Sequence, residues 1–126
     1  MADRYLSDGA CLLHGDFFPG SWLKTDHRLY VIDPEFCFFG DAEFDVGVAI
    51  AHLALARVDL ATAEAFLTAY ECELDLNLAA RFAAVEVMRR LIGVAQLPLP
   101  AQHPRVALLS ASARAMETAS WKDLWL

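Results

Sequence analysis

The segment LLHGDFFPGSWL, residues 12–23, decides how the rest of the chain is interpreted. It places Asp16 directly after a His-Gly pair and then uses two aromatic residues, a proline and a glycine in what must be a loop. An aspartate in such a loop either hydrogen-bonds its own backbone or takes part in chemistry. Taken alone, the segment leaves both interpretations open.

Composition and charge narrow the class of protein. The chain has 126 residues, 57% hydrophobic and 21% charged, so we expect residues 1–126 to form a single packed domain. Its net charge of −7 argues against nucleic acid as a partner. The N-terminus shows no secretory signal, and the longest apolar run is too short to span a membrane, which predicts a cytoplasmic protein without membrane contact. Cys11, Cys37 and Cys72 lack CxxC spacing and have apolar neighbours, which predicts buried free thiols.

Short strand-like runs precede a helical region. CLLH (11–14), SWLKTD (21–26) and RLYVID (28–33) are typical of strands, and the last two predict a hairpin. From about residue 44 the period becomes helical. The predicted helices cover residues 46–57 after an Asp45 N-cap, a segment beginning at Asp59 or Thr62, residues 78–96 ended by Pro98 and Pro100, and residues 106–118 opened by Pro104. This order predicts an α+β, mostly helical fold.

The last two predicted helices are apolar nearly all round, and the tail adds Trp121, Leu124, Trp125 and Leu126. A domain this small has little interior in which to bury so much apolar surface. We therefore expect part of this surface to meet another lobe or another chain, most simply in a homodimer.

Asp33 and Glu35 follow the best strand, separated by Pro34. Two hard oxygen ligands two residues apart suit Mg²⁺, which takes one or two carboxylates and leaves its other positions to water and phosphate. The alternative is a solvated turn. Asp16, in turn, is a candidate for the carboxylate that accepts a proton from an alcohol during phosphoryl transfer. The hairpin would bring Asp16 and Asp33 to the same rim.

Taken together, the motifs resemble those of the aminoglycoside phosphotransferase and choline kinase-like family. They are HGD at 14–16, a small polar residue five positions later, the hairpin, IDPE at 32–35, GDAEFD at 40–45 and EVMRRLIGVAQ at 86–96. The resemblance covers about residues 11–119 and implies the C-terminal lobe of a protein-kinase-like fold. The chain also looks similar to the methylthioribose kinase branch, with its HGDxHxGS and DPE, although Phe18 stands where that branch has a second histidine.

The resemblance implies a role for each matching residue. Asp16 looks like the catalytic base, and Asp33 looks like the principal Mg²⁺ ligand that bridges the phosphates of ATP. Ser21 stands where most members have asparagine as a second metal ligand, and its hydroxyl could still ligate Mg²⁺ in a weakened second site. Glu35 would support the metal or contact substrate. The remaining positions look structural: His14 would hold the loop, and Asp41 and Asp45 would tie down the loop and cap the next helix.

The sequence contains no GxGxxG and no GKS/T motif, which would close over the phosphates of a nucleotide. The resemblance therefore implies a C-terminal catalytic part of an ATP- and Mg²⁺-dependent kinase of small-molecule hydroxyl groups. The chain itself would lack the N-terminal nucleotide-binding lobe and would show little kinase turnover alone. That lobe would have to come from a longer protein or be supplied in trans. The alternatives are a non-catalytic, self-associating remnant that keeps the metal-site carboxylates, and a small helical metal-binding protein unrelated to kinases.

The sequence does not identify the acceptor. Four side chains in the helical region are candidates to reach a polar ligand: His52, Arg57, Arg89 and Arg90. For the two adjacent arginines, a solvated helix face or an ion pair with Glu86 is an equal alternative.

Overall fold

The computed structural model describes residues 2–126 and has the predicted α+β, mostly helical architecture. A short helix and four short strands, two of which form a hairpin, come first, and four longer helices follow. The elements are α1 (Ala2–Tyr5), β1 (Cys11–Leu13), a 3₁₀ turn (Pro19–Ser21), β2 (Trp22–Lys24), β3 (Leu29–Val31), β4 (Phe38–Gly40), α2 (Ala42–Leu55), α3 (Leu60–Thr68), α4 (Leu76–Ile92), α5 (Arg105–Thr118) and a second 3₁₀ turn (Trp121–Leu124).

The strands form two separate antiparallel pairs. The predicted hairpin is confirmed: β2 pairs with β3 so that Trp22 lies opposite Val31. The connecting turn is closed by Thr25, whose N–H donates to the Arg28 carbonyl at 2.9 Å. The other pair joins β1 to β4, a strand that the sequence analysis did not predict. The loop bearing Asp16 and the loop bearing Asp33 therefore each lie between two strands.

Helix α2 is the centre of the helical core. Every residue from 46 to 55 is buried, which is the pattern of a helix surrounded by protein. It packs on α4, where a Cβ on Gly47 would lie 2.7 Å from the Phe82 Cβ, so the two helices approach closely. No helix within residues 2–126 is both long enough and apolar enough to cross a membrane.

The start of α2 and the end of α4 differ clearly from the predictions. Helix α2 begins at Ala42 with Asp41 in the N-cap position, so the prediction that Asp45 caps it is wrong. The carboxylate of Asp45 bonds the backbone of a neighbouring loop instead. Helix α4 ends at Ile92, several residues before the two prolines, with Gly93 at its C-cap in an extended conformation. Asp59 does cap α3, accepting from the Thr62 N–H at 2.8 Å.

The prediction of buried cysteines is also wrong. Cys11, Cys37 and Cys72 are free, as expected, but all three are exposed. They lie on a two-stranded sheet and in loops. In elements this small, no further element packs over the side chains, so they remain exposed to solvent. Apolar neighbours in sequence therefore did not imply burial.

The C-terminal tail packs back on the helices. Trp121 and Leu124 are buried against α4 and α5. Exposed apolar side chains remain elsewhere, with Val94 and Val106 among the most exposed and Leu29 and Val31 on the hairpin. These side chains are consistent with an interface, but the homodimer stays a prediction.

Candidate functional site

The loop that contains Asp16 is fixed at its start by Asp45. The backbone N–H groups of His14 and Gly15 donate to the two carboxylate oxygens of Asp45 at 2.6 and 3.0 Å. Burial raises the pKa of Asp45, although these two hydrogen bonds act in the opposite direction. The first turn of α2 thus holds the backbone immediately before Asp16.

Gly15 lets the chain turn sharply at this point. Its φ is +83°, in the left-handed region that favours glycine. A Cβ added to Gly15 would lie only 2.2 Å from the carbonyl oxygen of Phe36. Glycine is therefore required both by the backbone conformation and by the close approach of the next loop.

His14 connects the Asp16 loop to the segment that ends in Asp33. Its Nδ1 accepts from the Asp16 N–H at 3.3 Å, so Nε2 carries the proton and donates to the Ile32 carbonyl at 2.7 Å. The Ile32 N–H in turn donates to the Ser21 carbonyl at 2.9 Å. The backbone next to Asp33 is thus bonded to both sides of the Asp16 loop.

Ser21 closes the same loop from inside. It is buried, and its Oγ donates to the backbone carbonyl of Asp16 at 2.9 Å. The hydroxyl proton is therefore used within the loop, while the oxygen keeps a lone pair for another partner. In this structure Ser21 orients the backbone of Asp16.

Asp33 and Glu35 are exposed carboxylates in the loop after β3. Asp33 has φ +60°, a conformation uncommon for residues other than glycine, although aspartate adopts it more readily than most. Within residues 2–126, no group of three or more His, Cys, Asp or Glu side chains is placed to hold a metal ion. The donor chemistry nevertheless fits Mg²⁺, which needs only one or two protein carboxylates when phosphate and water complete its shell.

Asp16 is joined to a buried ionic network on α4. Its Oδ1 accepts from Arg90 at 2.9 Å, and the Arg90 Nε donates to Glu86 at 2.7 Å. Glu86 also accepts from Arg89 at 2.6 and 3.0 Å, and the His52 Nε2 lies 3.2 Å from it. Burial alone would raise the pKa of Glu86, but hydrogen bonds from His52, Arg89 and Arg90 outweigh it and lower that pKa to about 2. Glu86 is therefore a buried, fully ionised carboxylate.

Asp16 and the two arginines line a cavity of about 850 Å³. Most of the other lining side chains are apolar, and several are aromatic. The remaining lining residues are Tyr5, Gly15, Phe36, Phe38, Phe44, Val48, Phe82, Val85, Glu86, Ala95 and Met116. A large apolar cavity with a few convergent polar groups is the usual form of a small-molecule site.

Other residues considered from the sequence lie outside this cavity. Asp41 pairs with Arg4 at 2.9 Å and makes no side-chain cap. His52 is buried behind the cavity against Glu86, so the expectation that it reaches a ligand is wrong. Arg57 lines a separate cavity of about 450 Å³ beside Trp125.

The ion pair between Asp16 and Arg90 could not be inferred from the sequence. The spacing of Glu86, Arg89 and Arg90 indicated pairing along one helix, and the structure contains those pairs. Nothing local could indicate the contact with Asp16, which is 74 residues distant in sequence. The signal available was only that two adjacent arginines share one carboxylate, which leaves donors for another partner.

Comparison with known proteins indicates the family of this chain. Residues 2–85 match the model of the phosphotransferase enzyme family, APH. The methylthioribose kinases of Pectobacterium atrosepticum and Yersinia enterocolitica are each 50% identical to this chain over 55 residues, and that of Yersinia pestis is 48% identical. Each match covers 44% of this chain but only 14% of the relative, so the matched region is a small part of those proteins.

Proposed function

Because the chain belongs to the phosphotransferase enzyme family, we propose that it forms the part of a small-molecule kinase that orients the acceptor and binds the metal. The observation that carries this proposal is the position of Asp16 at the wall of the 850 Å³ cavity. There its Oδ1 is bonded to Arg90, and no residue in the range 2–126 donates to its Oδ2. A carboxylate oxygen of this kind is suited to accept the proton of a substrate hydroxyl.

Asp33 would hold Mg²⁺, and ATP bound through that ion would supply the transferred phosphoryl group. The support is geometric and chemical: the residue before Asp33 is bonded to His14 and Ser21 of the Asp16 loop, and its carboxylate is exposed. Glu35 lies two residues away and would supply a second carboxylate. Ser21 is the less direct candidate, because its hydroxyl already donates to the backbone of Asp16.

The acceptor would carry a hydroxyl group together with an apolar portion. Aromatic side chains form much of the cavity wall, whereas its charged groups are confined to Asp16, Glu86, Arg89 and Arg90. A thioether-substituted sugar, the kind of compound named in the methylthioribose kinase relatives, has both features. We include such a sugar in the proposal as the first acceptor to assay.

The nucleotide clamp would come from a segment outside these 126 residues. The sequence has no Gly-rich phosphate loop, and the matches cover only 14% of each curated relative. Positioning and electrostatic stabilisation of the phosphates supply nearly all of the catalysis in phosphoryl transfer. We therefore expect the chain alone to transfer little phosphate, and to need that segment in the same protein or in trans.

Isothermal titration calorimetry, in which ATP together with Mg²⁺ is titrated into the chain, tests the assignment of Asp33 as a metal ligand. We expect weak binding that Asp33→Asn abolishes. Asp26→Asn is the matched control, because Asp26 is an exposed aspartate in the neighbouring hairpin turn. Equal affinity for the wild type and Asp33→Asn would contradict the assignment of Asp33.

A non-catalytic, self-associating module remains the second candidate. The observation that favours it is the exposed apolar hairpin, where Leu23, Leu29 and Val31 are each at least half exposed. Light scattering coupled to size-exclusion chromatography tests it. We expect a dimer at tens of micromolar protein that Leu29→Lys converts to a monomer, and a monomeric wild type would contradict self-association.

A further inference from the structure

Two buried polar residues, Glu86 and His52, connect to Asp16 although neither bonds it directly. Glu86 is 5% exposed and His52 is 6% exposed. A buried ion pair is costly to desolvate and commonly adds little net stability compared with apolar packing. Stabilisation of the core therefore does not explain why these two polar residues lie behind the cavity.

A ring of contacts runs from Asp16 through three other side chains and back to the loop that contains Asp16. Asp16 bonds Arg90, Arg90 bonds Glu86, and Glu86 bonds His52. The His52 ring then contacts the Phe18 ring at 4.4 Å between centroids, and Phe18 is two residues after Asp16 in the same loop. The Arg90 guanidinium also lies 5.6 Å from the Phe18 ring centroid. Both the side chain of Asp16 and its loop are thus anchored to α2 and α4 by one set of contacts.

We infer that Glu86 and His52 are positioning residues for Asp16. Glu86 accepts a hydrogen bond from the Nε of Arg90 and so fixes the orientation of the guanidinium group. In that orientation a terminal nitrogen of Arg90 donates to only one oxygen of Asp16. The other oxygen is left for the acceptor hydroxyl. The Nε2 of His52 contacts the same oxygen of Glu86 that accepts the hydrogen bond from Arg90. The imidazole ring of His52 also packs against the ring of Phe18. This inference rests on the proposed function, because it assigns a purpose to the orientation of the proposed base.

Arg89 provides an internal comparison. It bonds Glu86 through two nitrogens but makes no hydrogen bond to Asp16, and its side chain is 43% exposed. The Arg90 side chain is only 12% exposed and lies between both carboxylates. Within residues 2–126, Arg90 alone bonds both Glu86 and Asp16.

Nuclear magnetic resonance on the intact chain tests this ring of contacts without any substrate. In the wild type we expect slow solvent exchange of the Arg90 Nε–H and a single Asp16 carboxyl carbon signal. Glu86→Gln keeps the size of the side chain but removes its charge. We expect it to speed Arg90 exchange by about tenfold or more, the factor that corresponds to losing one ordinary hydrogen bond, and to move the Asp16 signal.

Glu64→Gln is the matched control, since Glu64 forms an exposed pair with Lys122 at 2.6 Å. It should leave the Arg90 and Asp16 signals unchanged. If Glu86→Gln does not fold, His52→Leu is the substitute and should move the same two signals, while His52→Gln, which restores an N–H donor, should move them less. A folded Glu86→Gln or His52→Leu protein with wild-type signals would overturn the inference.

Kinetics then separate this inference from the proposed function. For this test, the chain is combined with the nucleotide-binding segment of a methylthioribose kinase relative. In this combined protein, Glu86→Gln should lower kcat and leave KM for ATP unchanged. An unchanged kcat, with the Arg90 and Asp16 signals altered, would overturn the positioning role. A wild-type combined protein that transfers no phosphate would instead contradict the proposed function, and the positioning role would fall with it.

Discussion

Replacing Glu86 by glutamine should destabilise the fold by an amount that depends on pH. The carboxylate accepts hydrogen bonds from Arg89, Arg90 and His52 inside the protein. Glutamine has one carbonyl oxygen and one amide group, and the amide would face donors that it cannot satisfy. Arg89 would then lose the carboxylate it bonds, and Arg90 would keep only Asp16 as a charged partner.

The magnitude follows from the pKa of Glu86, which is lowered from 4.5 to about 2 in the folded protein. At about 1.4 kcal/mol for each tenfold change in proton affinity, ionised Glu86 contributes roughly 3 kcal/mol to the free energy of unfolding at neutral pH. Because the pKa is lower in the folded state, this contribution is complete above about pH 5. It is lost as the pH falls from the unfolded value of about 4.5 towards 2.

Urea denaturation followed by circular dichroism at pH 7, 5, 4 and 3 measures this contribution. At pH 7 we expect Glu86→Gln to be about 3 kcal/mol less stable than the wild type, and the difference should shrink as the pH falls. Glu64→Gln, at an exposed pair, should cost no more than about 1 kcal/mol. A Glu86→Gln difference below about 1 kcal/mol, or one that does not change with pH, would refute the reasoning.

Three further predictions concern the loops. Asp45→Ala removes the acceptor of the His14 and Gly15 N–H groups and should lower the free energy of unfolding by about 2–4 kcal/mol in urea denaturation, whereas a loss below about 1 kcal/mol would contradict the clamp. Gly15→Ala combines a left-handed φ with a clash against a carbonyl oxygen and should cost at least about 2 kcal/mol, seen as a lower Tm; an unchanged Tm would disprove the close approach. The three exposed thiols should react with a disulfide reagent without denaturant, and protection until unfolding would show them to be buried.

The order of elements was predictable because it depends on local patterns. The strand-rich RLYVID segment and its turn produced the hairpin, and the capping aspartate Asp59 marked the start of α3. The fourth strand, Phe38–Gly40, escaped prediction because it pairs with β1, which lies far back in the chain, and not with a neighbouring segment. Short strands are defined by their partners more than by their own sequence.

Only the two carboxylates proposed to act directly could be selected from the sequence. The HGD and IDPE motifs point to Asp16 and Asp33 because each motif is continuous in sequence. The support around them is assembled from distant segments: Asp45 lies 31 residues from His14, and Arg90 lies 74 residues from Asp16. Such contacts depend on how α2 and α4 pack, which no local pattern contains. For Asp45, the helical pattern predicted a cap of α2, whereas its carboxylate bonds His14 and Gly15 at the start of the Asp16 loop, the kind of contact that the resemblance implied.

Phosphoryl transfer in an assembly completed with a relative's nucleotide-binding segment tests the central claim most directly. With ATP labelled at the γ-phosphate and a thioether-substituted sugar as acceptor, we expect labelled product from the wild type and from Asp26→Asn. Asp16→Asn should lower the rate by about 10²–10⁴, the usual contribution of a general base. An Asp16→Asn assembly that transfers phosphate at the wild-type rate would show that Asp16 is not the base.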